Sequence, residues 1–458
     1  MIRTHILKLQ WLFSFFCFIF IASGQQDSSD VSILFVGDVM QHGPQIKGAY
    51  NSKIDKYEYE HSWKFVQPII SEVDIAIGNL EVTHAGKPYS GYPQFSAPDE
   101  LSSALKNVGF DVLLTANNHS CDGGAKGVIR TLDVLDGLNL LHTGTFRNKQ
   151  ERDQNYPLII ERNNIKIAIL NYTYGTNGIF VKAPLIINYI DSTTMKIDFE
   201  KAKKNADYII CTMHWGDEYK SLPNASQKKW EKYCYELGAN MVIGSHPHVI
   251  QPVERKKVNE KEVLTAYSLG NFVSNQRDRY KNGGMILRST IGLRDNEVVL
   301  KDADYSFAYV HTAQEGIFKH YYVLPDYSYD SIPTSFFTQE EKVSKDLFFK
   351  DSRSLMEKYT LDVKEYIPQK TVEIDRLLKG YFAVEVKQSD LSKLEEQLPH
   401  MNVVYTYKDF DNIEHYLIGY SESEISAKGN QEIISSLLNG QSTSKIVFID
   451  RFGLKEIK

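Results

Sequence analysis

Four polar signatures in this sequence each close an apolar run: FVGD ending at Asp38, LLTANNHSCDGG around His119, IICTMHWGDEY around His214, and MVIGSHPH ending at His248. Divalent transition metals take imidazole nitrogen and carboxylate or amide oxygen, and a catalytic centre keeps a position open for water or substrate. Asp38, Glu81, Asn118, His214, His246 and His248 supply that mixture from separate segments. The expected cofactor is a divalent ion, Mn, Fe or Zn. His246 and His248 stand two apart, and in an extended segment such residues point the same way, toward one centre. A lone histidine is more often structural, but four of thirteen falling just after apolar runs mark a site. Asp122 and Glu218 are placed to hold histidine tautomers rather than to ligate.

Strands that stop abruptly at Asp, Asn and His can line one sheet rim, where open α/β folds carry their chemistry. From residue 31 to 275 the pattern alternates accordingly. Apolar runs such as SILFVGD, DIAIGNLE, IKIAILNYTY and DYIICTMHW are separated by helical stretches such as PDELSSALKNVGF and QKKWEKYCYELGA. This predicts a layered α/β architecture with a buried sheet. After Asn275 the texture turns to alternating segments without helices, expected to complete a second, antiparallel sheet. Residues 326–379 read as a loosely packed connector. Residues 380–452 follow a β-α-β-β-α-β order, expected to form a separate small α+β domain.

The first residues carry Arg3, His5 and Lys8, then LQWLFSFFCFIFIA, then small residues at 22–24. That is the layout of a signal peptide over 1–24. An uncleaved anchor is the alternative, although the run is shorter than the ~20 residues a span needs. The chain is therefore expected to be exported, to the periplasm or cell envelope. Its formal net charge is -6, and loss of Arg3 and Lys8 would leave it more acidic, a poor general partner for nucleic acid. Beyond the leader, Cys121, Cys211 and Cys234 are an odd set, compatible with one bridge or with three buried thiols.

The motifs GDVM at 37–40, GNLE at 78–81, ANNHSCDGG at 116–124, MHWGDEY at 213–219, GSHPHVIQ at 244–251 and YSLGNF at 267–272 are similar, in order, to those of the CapA family. These are capsule-synthesis proteins linked to poly-gamma-glutamate and related to calcineurin-like metallophosphoesterases. The resemblance covers about residues 31–325. It implies a four-layer αββα metallophosphoesterase-like sandwich with a one- or two-metal centre at the sheet edges. Asp38 would match the opening metal ligand, Asn118 the ligand Asn, His119 the neighbouring acid, and His214, His246 and His248 the later ligands. Met40 stands where the broader phosphoesterase pattern has His, and GNLE replaces a bridging-Asp motif.

The terminal block resembles a SPOR domain, a small peptidoglycan-binding module, through YFAVEV, VVYTYKD, YLIGYSESEISAKG and KIVFI. Together the two resemblances imply an exported metal-dependent hydrolase or transferase. Its substrate would be an envelope or capsular polymer, its wall anchor peptidoglycan, and its catalytic residues His119, Asp122 and Glu218. The other reading is a non-catalytic assembly or export factor that holds acidic polymer in the same cleft.

Overall fold

The computed structural model describes residues 29–315, 318–326 and 337–366, and within the terminal block the strands named below and a few helical positions between 427 and 435. The leader at 1–24, the helix expected at 391–398, and 327–336 and 367–380 of the connector lie outside the described residues. Among the described residues no helix is long and apolar enough to cross a membrane.

In chain order, β1 (Val31–Val39), β2 (Ile75–Leu80), helix α1 (Glu100–Val108), β3 (Val112–Leu114), α2 (Gly124–Gly137) and β4 (Leu141–Thr143) open the fold. Then come β5 (Leu158–Arg162), β6 (Ile165–Thr173), α3 (Ser192–Asn205), β7 (Tyr208–His214), α4 (Ala225–Leu237), β8 (Met241–Ser245), β9 (Val253–Val258) and β10 (Lys261–Ala266). Next follow β11 (Asn271–Val273), β12 (Gly283–Arg294), β13 (Glu297–Glu315), β14 (Phe318–Pro325), α5 (Gln339–Tyr359) and β15 (Lys364–Glu365).

Two sheets result. The first has the order β14-β13-β12-β1-β2-β3-β4, with β11 beside β1 and β15 beside β13; the second runs β9-β10-β8-β7-β6-β5. The strands that end in the polar signatures are parallel within each sheet, β1 to β3 in one and β6 to β8 in the other. The apolar runs are continuous because both faces of these strands are covered. Ile33, Phe35, Ile77, Ile167, Ile169, Ile210 and Ile243 meet between the sheets. The alternate residues of β1, Leu34 and Val36, pack outward with Leu101 and Leu105 of α1. Leu170 and Cys211 pack outward with Phe199 of α3 and Cys234 of α4. The layers are thus helix, sheet, sheet, helix.

Two expectations need correction. The strands after Asn275 do not complete a second sheet; β12 pairs antiparallel with β1 and extends the first. An alternating pattern specifies the face a strand buries but not the edge it joins. The described part of the connector is not loosely packed either. Phe348, Phe349 and Met356 of α5 lie in the inter-sheet core, and β15 adds to β13. The cysteines are buried free thiols, with the Cys211 and Cys234 sulfurs 3.7 Å apart.

In the terminal block, β16 (Tyr381–Val386), β17 (Val404–Lys408), β18 (Glu414–Ser421), β19 (Lys445–Asp450) and β20 (Gly453–Glu456) form one sheet. Its order is β17-β18-β16-β19-β20 and every pair is antiparallel. The last strand lies beyond the boundary at 452.

One glycine is demanded by the packing that aims Asp38. A methyl on Gly37 would lie 1.9 Å from the carbonyl oxygen of Gly270, the same oxygen that accepts the Asp38 N–H at 2.9 Å. Backbone on both sides cannot give way. Gly37→Ala should cost about 3 kcal/mol, the upper range for overpacking, read as a lower urea midpoint. Gly43→Ala, into open space, should leave the midpoint within about 0.5 kcal/mol; equal stability of the two variants would refute the close contact.

Candidate metal centre

Seven side chains gather where the parallel strands of both sheets end. Asp38 is the penultimate residue of β1, Glu81 follows β2, Asn118 and His119 follow β3, His214 ends β7, and His246 and His248 follow β8. All seven are buried. His248 Nδ1 lies 3.0 Å from Asp38 Oδ2 and 3.1 Å from Asn271 Oδ1. His214 places Nε2 2.8 Å from Asn118 Oδ1 and Nδ1 2.9 Å from Ser245 Oγ. Glu81 Oε1 is 3.8 Å from His214 Nε2 and 3.7 Å from His248 Nε2. Glu81, His214 and His246 offer ligand atoms within 4.8 Å of one another, and so do Asp38, Glu81 and His248.

His246 and His248 do not converge as alternate residues of a strand. The strand ends at Ser245, and both histidines sit in the left-handed region, at φ 100° and 57°. The bend is held by the Tyr219 N–H, which donates to the Pro247 carbonyl at 2.8 Å.

Burial governs the charges. It pushes the His246 imidazole down to about 3, with His248 adding to the effect, and holds His214 well below its ordinary range. Both are neutral near pH 7, the form in which imidazole ligates. Burial, reinforced by the Asp38 carboxylate, raises the Glu81 carboxyl well above its ordinary range. Its Oε1 has no hydrogen-bond partner, nor has His246 Nδ1. Buried polar atoms left unpaired are costly, and a divalent cation among these nitrogen and oxygen donors would satisfy both. The donor set therefore fits a divalent metal.

His119 stands beside this cluster. Its Nδ1 lies 2.7 Å from Asp122 Oδ2, which also accepts the Phe95 N–H at 2.6 Å. Its Nε2 faces Asn177 at 3.5 Å. Glu218 is exposed, with a carboxylate oxygen within 4.8 Å of His246 and His248 ring nitrogens. Within hydrogen-bond distance of His214 and His248 stand Ser245, Asn118, Asn79, Asp38 and Asn271, and Glu218 lies at the rim beside His246 and His248. An exposed carboxylate at the rim has water to compete with; these partners do not.

Other contributors lie inside the motifs but were not singled out by sequence. Asn79 donates to Asp38 Oδ1 at 2.8 Å, and Asn117 donates to the Leu80 carbonyl at 2.8 Å, tying the loops after β2 and β3 together. Asn271 also donates to the Lys281 carbonyl at 2.8 Å. Tyr174, just after β6, lies tilted 4.6 Å from the His246 ring and parallel to His214 at 6.4 Å. Burial pushes its phenol up to about 12, so it stays protonated. For Asn117 and Tyr174 the available signal was a polar residue just past the end of a parallel strand, and for Asn79 and Asn271 a polar residue at a strand terminus.

The family described as bacterial capsule synthesis protein PGA_cap matches residues 32–276. The chain is similar to a capsule biosynthesis protein CapA of Bacillus anthracis, 28% identical over 291 residues, spanning 60% of this chain and 67% of that protein. It is also similar to the PGA biosynthesis protein CapA of Bacillus subtilis (strain 168), 31% identical over 268 residues, 54% of this chain and 65% of that one. Similar solved structures include a putative 5'-nucleotidase from Staphylococcus aureus, with 12% identity, TM-score 0.40, and 70% of this chain and 58% of that chain covered. Another is the calcineurin-like phosphoesterase YfkN from Bacillus subtilis, with 14% identity, TM-score 0.37, and 61% and 90% covered. The layers and strand ends described above, rather than these scores, define the fold. With the match extending over more than half of its 458 residues, this chain belongs to the bacterial capsule synthesis protein family PGA_cap.

Proposed function

We propose that this protein is an exported, metal-dependent hydrolase or transferase of a capsular or envelope polymer of the poly-gamma-glutamate type. The observation that carries this reading is the buried donor cluster, with Glu81 Oε1 and His246 Nδ1 unpartnered, beside the His119–Asp122 pair. Asp38, Glu81, Asn118, His214, His246 and His248 would hold the cation. A bound divalent ion would supply Lewis-acid polarisation of the attacked group and a lowered pKa for water. His119 has its Nδ1–H directed at Asp122, which leaves Nε2 to carry a proton toward a leaving group, with the carboxylate stabilising the imidazolium. Membership of the family supports the capsular context. Peptidoglycan binding by the terminal domain rests on its sequence resemblance to SPOR modules.

One observation favours a second reading, a non-catalytic factor that binds polymer in the same cleft. Met40, where related phosphoesterases carry His, is buried in the apolar cluster between the first sheet and its helices. That position offers no ligand.

The two readings separate in one experiment on the full chain. Reconstitution with Mn, Fe or Zn, followed by elemental mass spectrometry, should give near-stoichiometric metal. Metal-dependent cleavage of poly-gamma-glutamate or of a chromogenic phosphodiester should follow. No retained metal under any condition sinks the metalloenzyme, and metal with polymer binding but no cleavage selects the assembly factor. In parallel, the full chain should sediment with cell-wall sacculi and a chain ending at residue 366 should not; equal sedimentation removes the wall-anchoring role.

A further inference from the structure

Helices α3 and α4 lie side by side over the second sheet, with the Tyr233 hydroxyl of α4 donating to the Ser192 carbonyl of α3 at 2.9 Å. Phe199 and Cys234 mark the faces they bury. Their outward faces are basic. Six lysines are exposed there, Lys196, Lys203 and Lys204 on α3 and Lys228, Lys229 and Lys232 on α4, against two exposed acids, Glu200 and Glu236. The helices' other acids, Asp198 and Glu231, are buried. Glu200 pairs with Lys203 and Glu236 with Lys232. Among the described residues Lys196, Lys204, Lys228 and Lys229 have no ion-pair partner. In a chain of formal net charge -6, this face is opposite in sign to the whole.

We infer that the paired outer faces of α3 and α4 are a docking surface for a strand of the acidic polymer. The inference rests on the poly-gamma-glutamate-type substrate proposed above, and it holds for a hydrolase and an assembly factor alike. A net acidic protein repels an acidic polymer unless a local field of opposite sign receives it. Single exposed ion pairs are weak. A strand with a carboxylate on every residue, however, can engage the four free ammonium groups together. The position suits the centre. Strands β6, β7 and β8 are parallel, so the helices between them start at the sheet edge where His214 and His246 lie. Lys196, Lys228 and Lys229 stand in the first two turns of their helices, on that side of the face. An anionic bilayer suits the face less well. A helix that enters lipid carries an apolar row beside its lysines, and on α3 and α4 Ile197 is the one large apolar side chain exposed.

The test titrates the full chain against fluorescently labelled poly-gamma-glutamate in about 50 mM and about 300 mM salt, because salt screens contacts between exposed charges. The wild type should bind at the lower salt and loosen at the higher. Lys196→Gln, Lys204→Gln, Lys228→Gln and Lys229→Gln combined should weaken binding about tenfold. A control with the same loss of charge, Lys47→Gln, Lys53→Gln, Lys56→Gln and Lys106→Gln, takes exposed lysines from the side of the first sheet. It should change binding less than about twofold. Both variants alter surface positions, so both should keep the melting temperature and the metal content. No binding by the wild type, equal weakening in the two variants, or a face variant that binds like the wild type overturns the surface. Capture of phosphatidylglycerol vesicles or duplex DNA through these lysines, without the polymer, overturns it too. Polymer binding through the lysines in a chain that retains no metal preserves the surface and removes the hydrolase. Polymer cleavage indifferent to the lysines does the reverse.

Discussion

Glu81→Gln should shift stability in opposite directions in the metal-free and metal-loaded protein. Without metal, the wild type buries a carboxyl with one oxygen unpartnered and its pKa raised, first by burial and then by Asp38. A carboxyl whose folded pKa exceeds its unfolded value stabilises the fold below that unfolded value, 4.5, and the contribution is lost as pH rises through the folded pKa. The histidines slope the other way. His246, with its pKa pushed down to about 3 from 6.5, and His214, also depressed, contribute stability fully present above pH 6.5 and lost as pH falls. The metal-free glutamine variant should therefore exceed the wild type in neutral solution and keep only the histidine slope. With metal the order inverts, because an anionic ligand has been removed. Affinity should fall more than about 100-fold, beyond the range for losing an outer partner of a ligand. Urea unfolding across pH, with and without the cation, reads both effects; unchanged metal affinity in the variant would remove Glu81 from the centre.

His119→Ala should abolish turnover while sparing the metal. Its ring lies outside the clusters of possible ligands, with Nδ1 committed to Asp122. Loss of a general acid costs about 100-fold or more in rate. Asp122→Asn keeps the imidazole but removes the carboxylate that orients it through Nδ1, so its loss should be smaller. The variants should fold, since His119 touches Phe95 by its edge rather than filling a core layer. Rates for His119→Ala equal to wild type on a substrate that the wild type cleaves would remove the acid role.

Much of this site was legible because its chemistry sits where strands end. Asp38, His214 and His248 each terminate or follow a run of buried apolar residues, so the sequence marks both the strand and its rim. The helper residues were harder to see. Asn79, Ser245 and Asn271 lie in the same motifs, but which side chain reaches which depends on register between strands far apart in the chain, as Asp38 and Asn271 are. Tyr174 and Asn177 follow β6, a strand that was read correctly but whose end carries no histidine or acid to mark it. The stretch SKDLFFKDSRSLMEKY at 344–359 is recognisably helical, whereas the partners of Phe348 and Phe349 come from distant strands. For 246–248 the two-residue period led to the right convergence through the wrong backbone.

That backbone leaves a mark on descent. Holding two non-glycine residues in the left-handed region costs of order 1–3 kcal/mol each, a charge that selection tolerates only while the imidazoles are useful. A lineage that had abandoned metal would be released to place Gly or Asn at 246 and 248, since these residues adopt that conformation freely. Substitution there, more than at Asp38 or Glu81, would therefore date the loss of the centre: the first ligands to drift should be the two whose main chain is strained.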